Sequence, residues 1–144
     1  IASGYSGDYV GGLIGESSAT SSWNRYIGTL VKARSQTGGL IGRNTNSITD
    51  SYSSGEVQSN GSSVGGLVGW TNATITGTTA TVGSTTYATG NVSGSSETGG
   101  LLGYADGSNA VITNKSGFMR KTLSGNERGF WMASTSKPIF FRTV

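Results

Sequence analysis

Asp50 and Glu56 stand on either side of one expected turn, and two carboxylates facing a common cleft are the minimum equipment for acid–base cleavage of a glycosidic bond. The other carboxylates, Asp8, Glu16, Glu97, Asp106 and Glu127, are scattered, and no pairing phrase recurs among them. Solvated turn and edge charges are therefore the expectation for all of these side chains. The sequence contains no histidine and no cysteine. That excludes imidazole bases, thiolate nucleophiles, disulfides and His or Cys metal sites, and with them the His-Glu-x-x-His helix of zinc peptidases. Calcium-binding repeats place an Asp within a Gly-Gly phrase, which the Gly-Gly phrases here lack. Asp106-Gly107 reads as a turn. No catalytic residue, metal site or cofactor follows from these side chains, so the expectation is a protein that is not an enzyme.

A glycine-rich turn can also cradle a phosphate, but a phosphate loop opens a helix once. Here one phrase, Gly-Gly-Leu-x-Gly, is written four times: at Gly11, Gly12, Leu13 and Gly15; at Gly38, Gly39, Leu40 and Gly42; at Gly65, Gly66, Leu67 and Gly69; and at Gly99, Gly100, Leu101 and Gly103. The starts lie 27, 27 and 34 residues apart (38 − 11, 65 − 38, 99 − 65). Recurrence at a nearly fixed period marks a repeat architecture, and the phrase is its frame.

Each repeat is too short to bury a hydrophobic face alone. Its apolar residues come in short β-branched clusters separated by Gly, Ser, Asn and Thr, which is strand and turn chemistry without a helical stripe. Stacking solves the burial problem, and the prediction is an all-β fold: a β-solenoid, or β-helix, of about four to five rungs with an irregular aromatic C-terminal cap. The 144 residues divide as one repeat domain. Residues 1–10 form a partial repeat, 11–37, 38–64, 65–98 and 99–127 the repeats, and 128–144 the terminal cap. Leu13, Leu40, Leu67 and Leu101 should form one ladder and Ile14, Ile41, Val68 and Leu102 another. Strand alternation predicts that one of the two faces fully inward, and the constant leucine is the choice. Tyr26, Tyr52 and Tyr87 precede the next Gly-Gly by nearly equal distances and are expected to be equivalent. The extra seven residues of the third repeat fall within 71–86, a loop that lengthens one corner.

The composition supports a folded chain: 25 glycines and a single proline, but a net charge of only +3 and aromatics in most repeats. Beyond Val111 the character changes. All four phenylalanines (Phe118, Phe130, Phe140, Phe141), both methionines and six of the ten basic residues (Lys115, Arg120, Lys121, Arg128, Lys137, Arg142) lie there. Arg128-Gly129-Phe130-Trp131-Met132 resembles a decayed fifth copy of the phrase. Such a tail fits a cap over an exposed strand edge, or a surface that docks on the first rung of another copy to build a fibre. No binding fold accompanies the basic residues, so nucleic acid is not an expected partner. No apolar run is long enough to span a bilayer as a helix.

Gly38-Gly39-Leu40-Ile41-Gly42, then Ile48, then Ser51-Tyr52-Ser53-Ser54-Gly55-Glu56-Val57, then Val64-Gly65-Gly66-Leu67-Val68-Gly69, resembles the GLUG repeat of bacterial surface proteins. The resemblance covers Ala2 to about Val111. Repeat one departs from it at Trp23-Asn24-Arg25-Tyr26, and the tail from Phe118 does not share it. It implies a secreted or cell-surface setting, as in large adhesins and the non-catalytic parts of IgA-specific metallopeptidases, and it brings no catalytic residues. The chain opens at Ile1 already within a repeat, as an excised piece of something longer would.

These readings converge on a structural and adhesive module, extracellular or on a bacterial surface, that presents one extended rigid face. The residues nominated for that face or for assembly are Trp70, Tyr104, Phe118, Phe130, Trp131, Phe140 and Phe141. The partners in view are a host or cell-surface glycan or protein, or a second copy of the chain in a head-to-tail fibre. Polysaccharide or ice binding is the alternative. For ice, Thr-x-Thr should recur at one place in successive rungs, and Thr74-Ile75-Thr76 and Thr79-Ala80-Thr81 belong to a single repeat, without regular threonines elsewhere.

Overall fold

The computed structural model describes residues 7–77, 86–106, 112–114, 123–124, 128–132 and 138–142, with side chains through residue 106. Glycine and hydroxyl residues break the apolar clusters so often that no strand in the repeats exceeds four residues, and the described residues contain no helix. The first rung comprises β1 (Val10–Gly11), β2 (Ile14–Ser17), β3 (Ser21–Ser22), β4 (Arg25–Tyr26) and β5 (Leu30–Ala33). The second repeats it with β6 (Thr37–Gly38), β7 (Ile41–Asn44), β8 (Ile48–Thr49), β9 (Tyr52–Ser53) and β10 (Glu56–Ser59). The third has β11 (Ser62–Gly65), β12 (Val68–Thr71), β13 (Ile75–Gly77), β14 (Tyr87–Ala88) and β15 (Val92–Ser93). The fourth has β16 (Ser96–Gly99), β17 (Leu102–Ala105), β18 (Ile112–Asn114) and β19 (Leu123–Ser124).

Corresponding strands stack in parallel into five sheets. Sheet A is β1-β6-β11-β16, sheet B begins β2-β7-β12-β17, sheet C is β3-β8-β13-β18, sheet D is β4-β9-β14 and sheet E is β5-β10-β15-β19. This is the β-solenoid the period predicts. Sheet B continues into β20 (Arg128–Met132) and β21 (Pro138–Arg142), an antiparallel hairpin whose first strand runs antiparallel to β17, with Leu102 opposite Phe130. A fifth rung strand would run parallel, so Arg128–Met132 is not a fifth copy of the phrase. Pro138 opens the outermost strand, a first-residue edge position at which proline is tolerated.

Both apolar ladders are buried. Leu40, Leu67 and Leu101 are sealed from solvent, and so are Ile41, Val68 and Leu102. The expectation that only one would face inward fails because the leucine lies in the corner between sheets A and B, outside any strand, where alternation does not apply. Gly38 and Gly65 close that corner: a Cβ on either would overlap the carbonyl oxygen of Ile41 or Val68, three residues on. Leu13, in the outermost described rung, is 51 % exposed.

The next corner is polar. Ser17, Asn44 and Thr71 align at the end of sheet B, all buried. Each donates to the carbonyl two residues ahead: Ser17 Oγ to Ala19 at 3.1 Å, Thr71 Oγ1 to Ala73 at 3.4 Å, and Asn44 Nδ2 to Asn46. Short polar side chains bend the chain in this way because they reach their own backbone. Asn44 Nδ2 also reaches Thr71 Oγ1 in the next rung at 3.0 Å.

In sheet D the register differs from the expected tyrosine equivalence. Arg25 aligns with Tyr52 and Tyr87, whereas Tyr26 aligns with Ser53 and Ala88. Ser53 and Ala88 are buried, and Tyr26 packs against Leu40's cluster, its ring beside Gly12, Gly28 and Gly55. The phenol of the first rung thus fills interior space that smaller residues occupy in the next two. Register also narrows the insertion. Thr49 and Thr76 pair at a separation of 27 residues (76 − 49) and Tyr52 and Tyr87 at 35 (87 − 52), so the added length enters between Gly77 and Thr86, at the corner of sheets C and D.

Candidate functional site

Glu16, Arg43, Trp70 and Tyr104 stand in register along sheet B, one per rung. Parallel strands about 4.8 Å apart hold their side chains at the same interval. The row is accessible: Tyr104 is 39 % exposed, Trp70 is half-buried, and Tyr9, 45 % exposed, flanks it. Arg43 ties the row together. Its Nη1 pairs with Glu16 Oε1, and its Cζ lies 4.7 Å from the Trp70 ring centroid and 5.5 Å from that of Tyr9. Each exposed cation–π contact contributes roughly 0.5–1 kcal/mol, and the exposed ion pair less. Their effect is to fix side-chain direction, leaving one cation and three aromatic rings on a continuous surface.

Trp70 and Tyr104, nominated from sequence, are therefore rung neighbours. The tail aromatics are placed by backbone alone: Phe130 and Trp131 on β20, opposite Phe140 and Ile139, and Phe141 on β21 opposite Gly129. Phe118 lies outside the described residues. Arg43 and Tyr9 were not singled out by sequence reasoning. The signal available was their place, since Arg43 follows the repeated phrase directly, as Trp70 does.

The described carboxylates lie on different elements. Asp50 is buried, contrary to the expectation of a solvated turn charge, and holds a left-handed backbone with φ 47° at the corner after β8. Trp23, with φ 57°, and Gly77 follow the paired residues Ser22 and Thr76 at the same corner of the neighbouring rungs, so the corner geometry imposes this conformation. Glu56, beyond β9, accepts from Gln58 Nε2 at 2.7 Å. Glu97, on sheet A, accepts from Ser63 Oγ at 2.7 Å, and Asp8 pairs with Arg34 at 2.6 Å. Among the described residues no group of three or more acidic side chains could hold a metal ion, and no helix is long and apolar enough to cross a membrane. Glu127 lies outside the described residues.

The Tyr52 and Tyr87 rings stack on sheet D, 4.8 Å between centroids and 4° between planes. Burial pushes the Tyr87 phenol above its ordinary value of 10.0, and the neighbouring Tyr52 adds to the shift. The unfolded chain then releases this proton first, so stability is unaffected below about pH 10 and falls as pH rises through the folded value. In urea unfolding over about pH 9 to 11, Tyr87→Phe should lessen this alkaline loss. An unchanged slope would contradict the assignment.

No curated protein and no solved structure matches the chain. The family model of the GLUG motif matches residues 33–58, a span that leaves the end of β5 and follows the whole second rung into β10. The match thus covers one rung, and the rungs above and below repeat its strands in register, which is consistent with a GLUG-motif repeat region.

Proposed function

We propose that this repeat region is a non-catalytic adhesive module of a secreted or surface-displayed bacterial protein, and that the outer row of sheet B is its contact surface for polysaccharide. The observation that carries the reading is the alignment of Arg43, Trp70 and Tyr104, flanked by Tyr9, on consecutive rungs. Aromatic faces stack on the apolar faces of sugars, and the Arg43 guanidinium beside them, held by Glu16, has further N–H donors for sugar oxygens. The backbone ladders hold this surface rigid, so little conformational entropy is lost on binding. Among the described residues, Glu16, Glu56 and Glu97 stand on three different sheets and Asp50 at a corner, an arrangement that lends no support to a catalytic pair.

A head-to-tail fibre is disfavoured by one feature, the hairpin β20–β21, which occupies the edge of β17 that a following rung would need. The test of adhesion is a glycan array followed by titration of an acidic polysaccharide. Trp70→Ala should weaken binding about tenfold, the loss of one stacked aromatic worth roughly 1–1.5 kcal/mol, without unfolding the chain. A folded monomer that binds no glycan, or one whose binding is indifferent to Trp70→Ala, would overturn the reading.

A further inference from the structure

Sheet C carries a second ordered surface. Ser22, Thr49, Thr76 and Thr113 stand in register across β3, β8, β13 and β18. Two residues earlier stand Thr20, Ser47 and Thr74, held in a second rank by the bonds from Ser21 N to Ser47 O and from Ile48 N to Thr74 O, both 2.9 Å. Between the ranks, Ser21, Ile48 and Ile75 turn into the interior and are buried. Thr20 and Ser22 are exposed, and Ser47, Thr49, Thr74 and Thr76 are half-buried. The hydroxyl residues that look irregular in sequence therefore form a two-rank array over three successive rungs, in which the Thr20 hydroxyl donates to Asn46 Oδ1 at 3.2 Å. Spans 17–24, 44–49 and 71–76, which make this face, contain no charged residue.

The spacing selects the ligand. Rungs lie about 4.8 Å apart, and alternate residues along a strand about 6.7 Å. Tetrahedral water joined by O–H···O bonds of about 2.75 Å has second-neighbour oxygens about 4.5 Å apart. Centred on the middle rung, the outer hydroxyls deviate from that repeat by about 0.3 Å, inside the normal spread of O–H···O lengths. The four threonines, Thr20, Thr49, Thr74 and Thr76, are restricted in rotamer because they are branched at Cβ, which orders most of the array before it meets its partner. A charged side chain would impose its own hydration shell, and the three spans that make this face have none.

We propose that sheet C is an ice-binding face, the rung spacing along its hydroxyl ranks lying close to the second-neighbour spacing of the water lattice. The surface is separate from the row on sheet B, and its failure would leave the polysaccharide reading untouched. The experiment measures thermal hysteresis and inhibition of ice recrystallisation by the whole chain. The wild-type chain should show both. Thr49→Lys, in the centre of the array, should abolish both while circular dichroism and melting show an intact fold, and Thr89→Lys, exposed beyond sheet D, should retain them. If the wild-type chain neither shapes nor restrains ice, if Thr49→Lys retains the activity, or if Thr89→Lys loses it equally, the proposal is wrong.

Discussion

Gly69→Ala should destabilise the fold by about 3 kcal/mol, near the top of the range for overpacking. A Cβ on Gly69 would lie 2.5 Å from the carbonyl carbon of Gln36, 2.6 Å from the Gly42 oxygen and 2.6 Å from the Thr37 nitrogen. All three are backbone atoms, so no rotamer change can yield, and sheets A and B would have to separate. Gly15, in the outermost described rung, would meet only the Tyr9 backbone, at 2.9 Å. Gly15→Ala should accordingly be milder. Urea unfolding of the two variants checks both statements, and equal losses would mean that the two sheets do not approach as closely as described. Since a domain of this kind is stable by about 5–15 kcal/mol, the Gly69 change removes a sizeable part of the total.

Leu67→Ala has the second large effect, an expected loss of about 3–4 kcal/mol. Leu67 is fully buried between Leu40 and Leu101, which are equally buried, so shortening it opens a cavity that rigid neighbouring rungs cannot collapse into. Leu13 occupies the same place in the phrase but is half exposed. Leu13→Ala should lose under about 1 kcal/mol, because most of the leucine is already in water. Unfolding midpoints separate the two, and a Leu13 loss as large as that of Leu67 would contradict the burial.

Periodicity made the frame legible in sequence. The four phrases gave the period, the strand character followed from composition, and the leucine ladder followed from both. What could not be read were departures from strand alternation at corners. Leu40 and Ile41 are consecutive and both buried because a bend separates them, and Asp50 is buried at a different corner, the one after β8. Counting residues back from Gly-Gly made Tyr26 equivalent to Tyr52, but backbone pairing shifts it by one, since its ring lies among glycines that leave room for it. The hydroxyl ranks were hidden for a related reason: Ser and Thr interchange within them, and only register shows that Ser22 continues the row of Thr49. Trp70 and Tyr104 were legible because each directly follows the phrase. Arg43 stands at the same place after the phrase, but its joining of Trp70 to Glu16 and Tyr9 was not legible, because contact between rungs leaves no mark in local sequence.

The corner between sheets C and D admits eight residues more in the third rung than in the second (35 − 27), yet the strands on both sides stay paired. Closing a longer loop costs only as the logarithm of its length, so going from the two residues between β8 and β9 to the nine between β13 and β14 raises the closure term by about 1.3 kcal/mol. That is below what one buried leucine supplies. This corner of the solenoid can therefore gain or lose a segment at small thermodynamic cost, while Gly69 and Leu67, enclosed by neighbouring rungs, can change only at a large one.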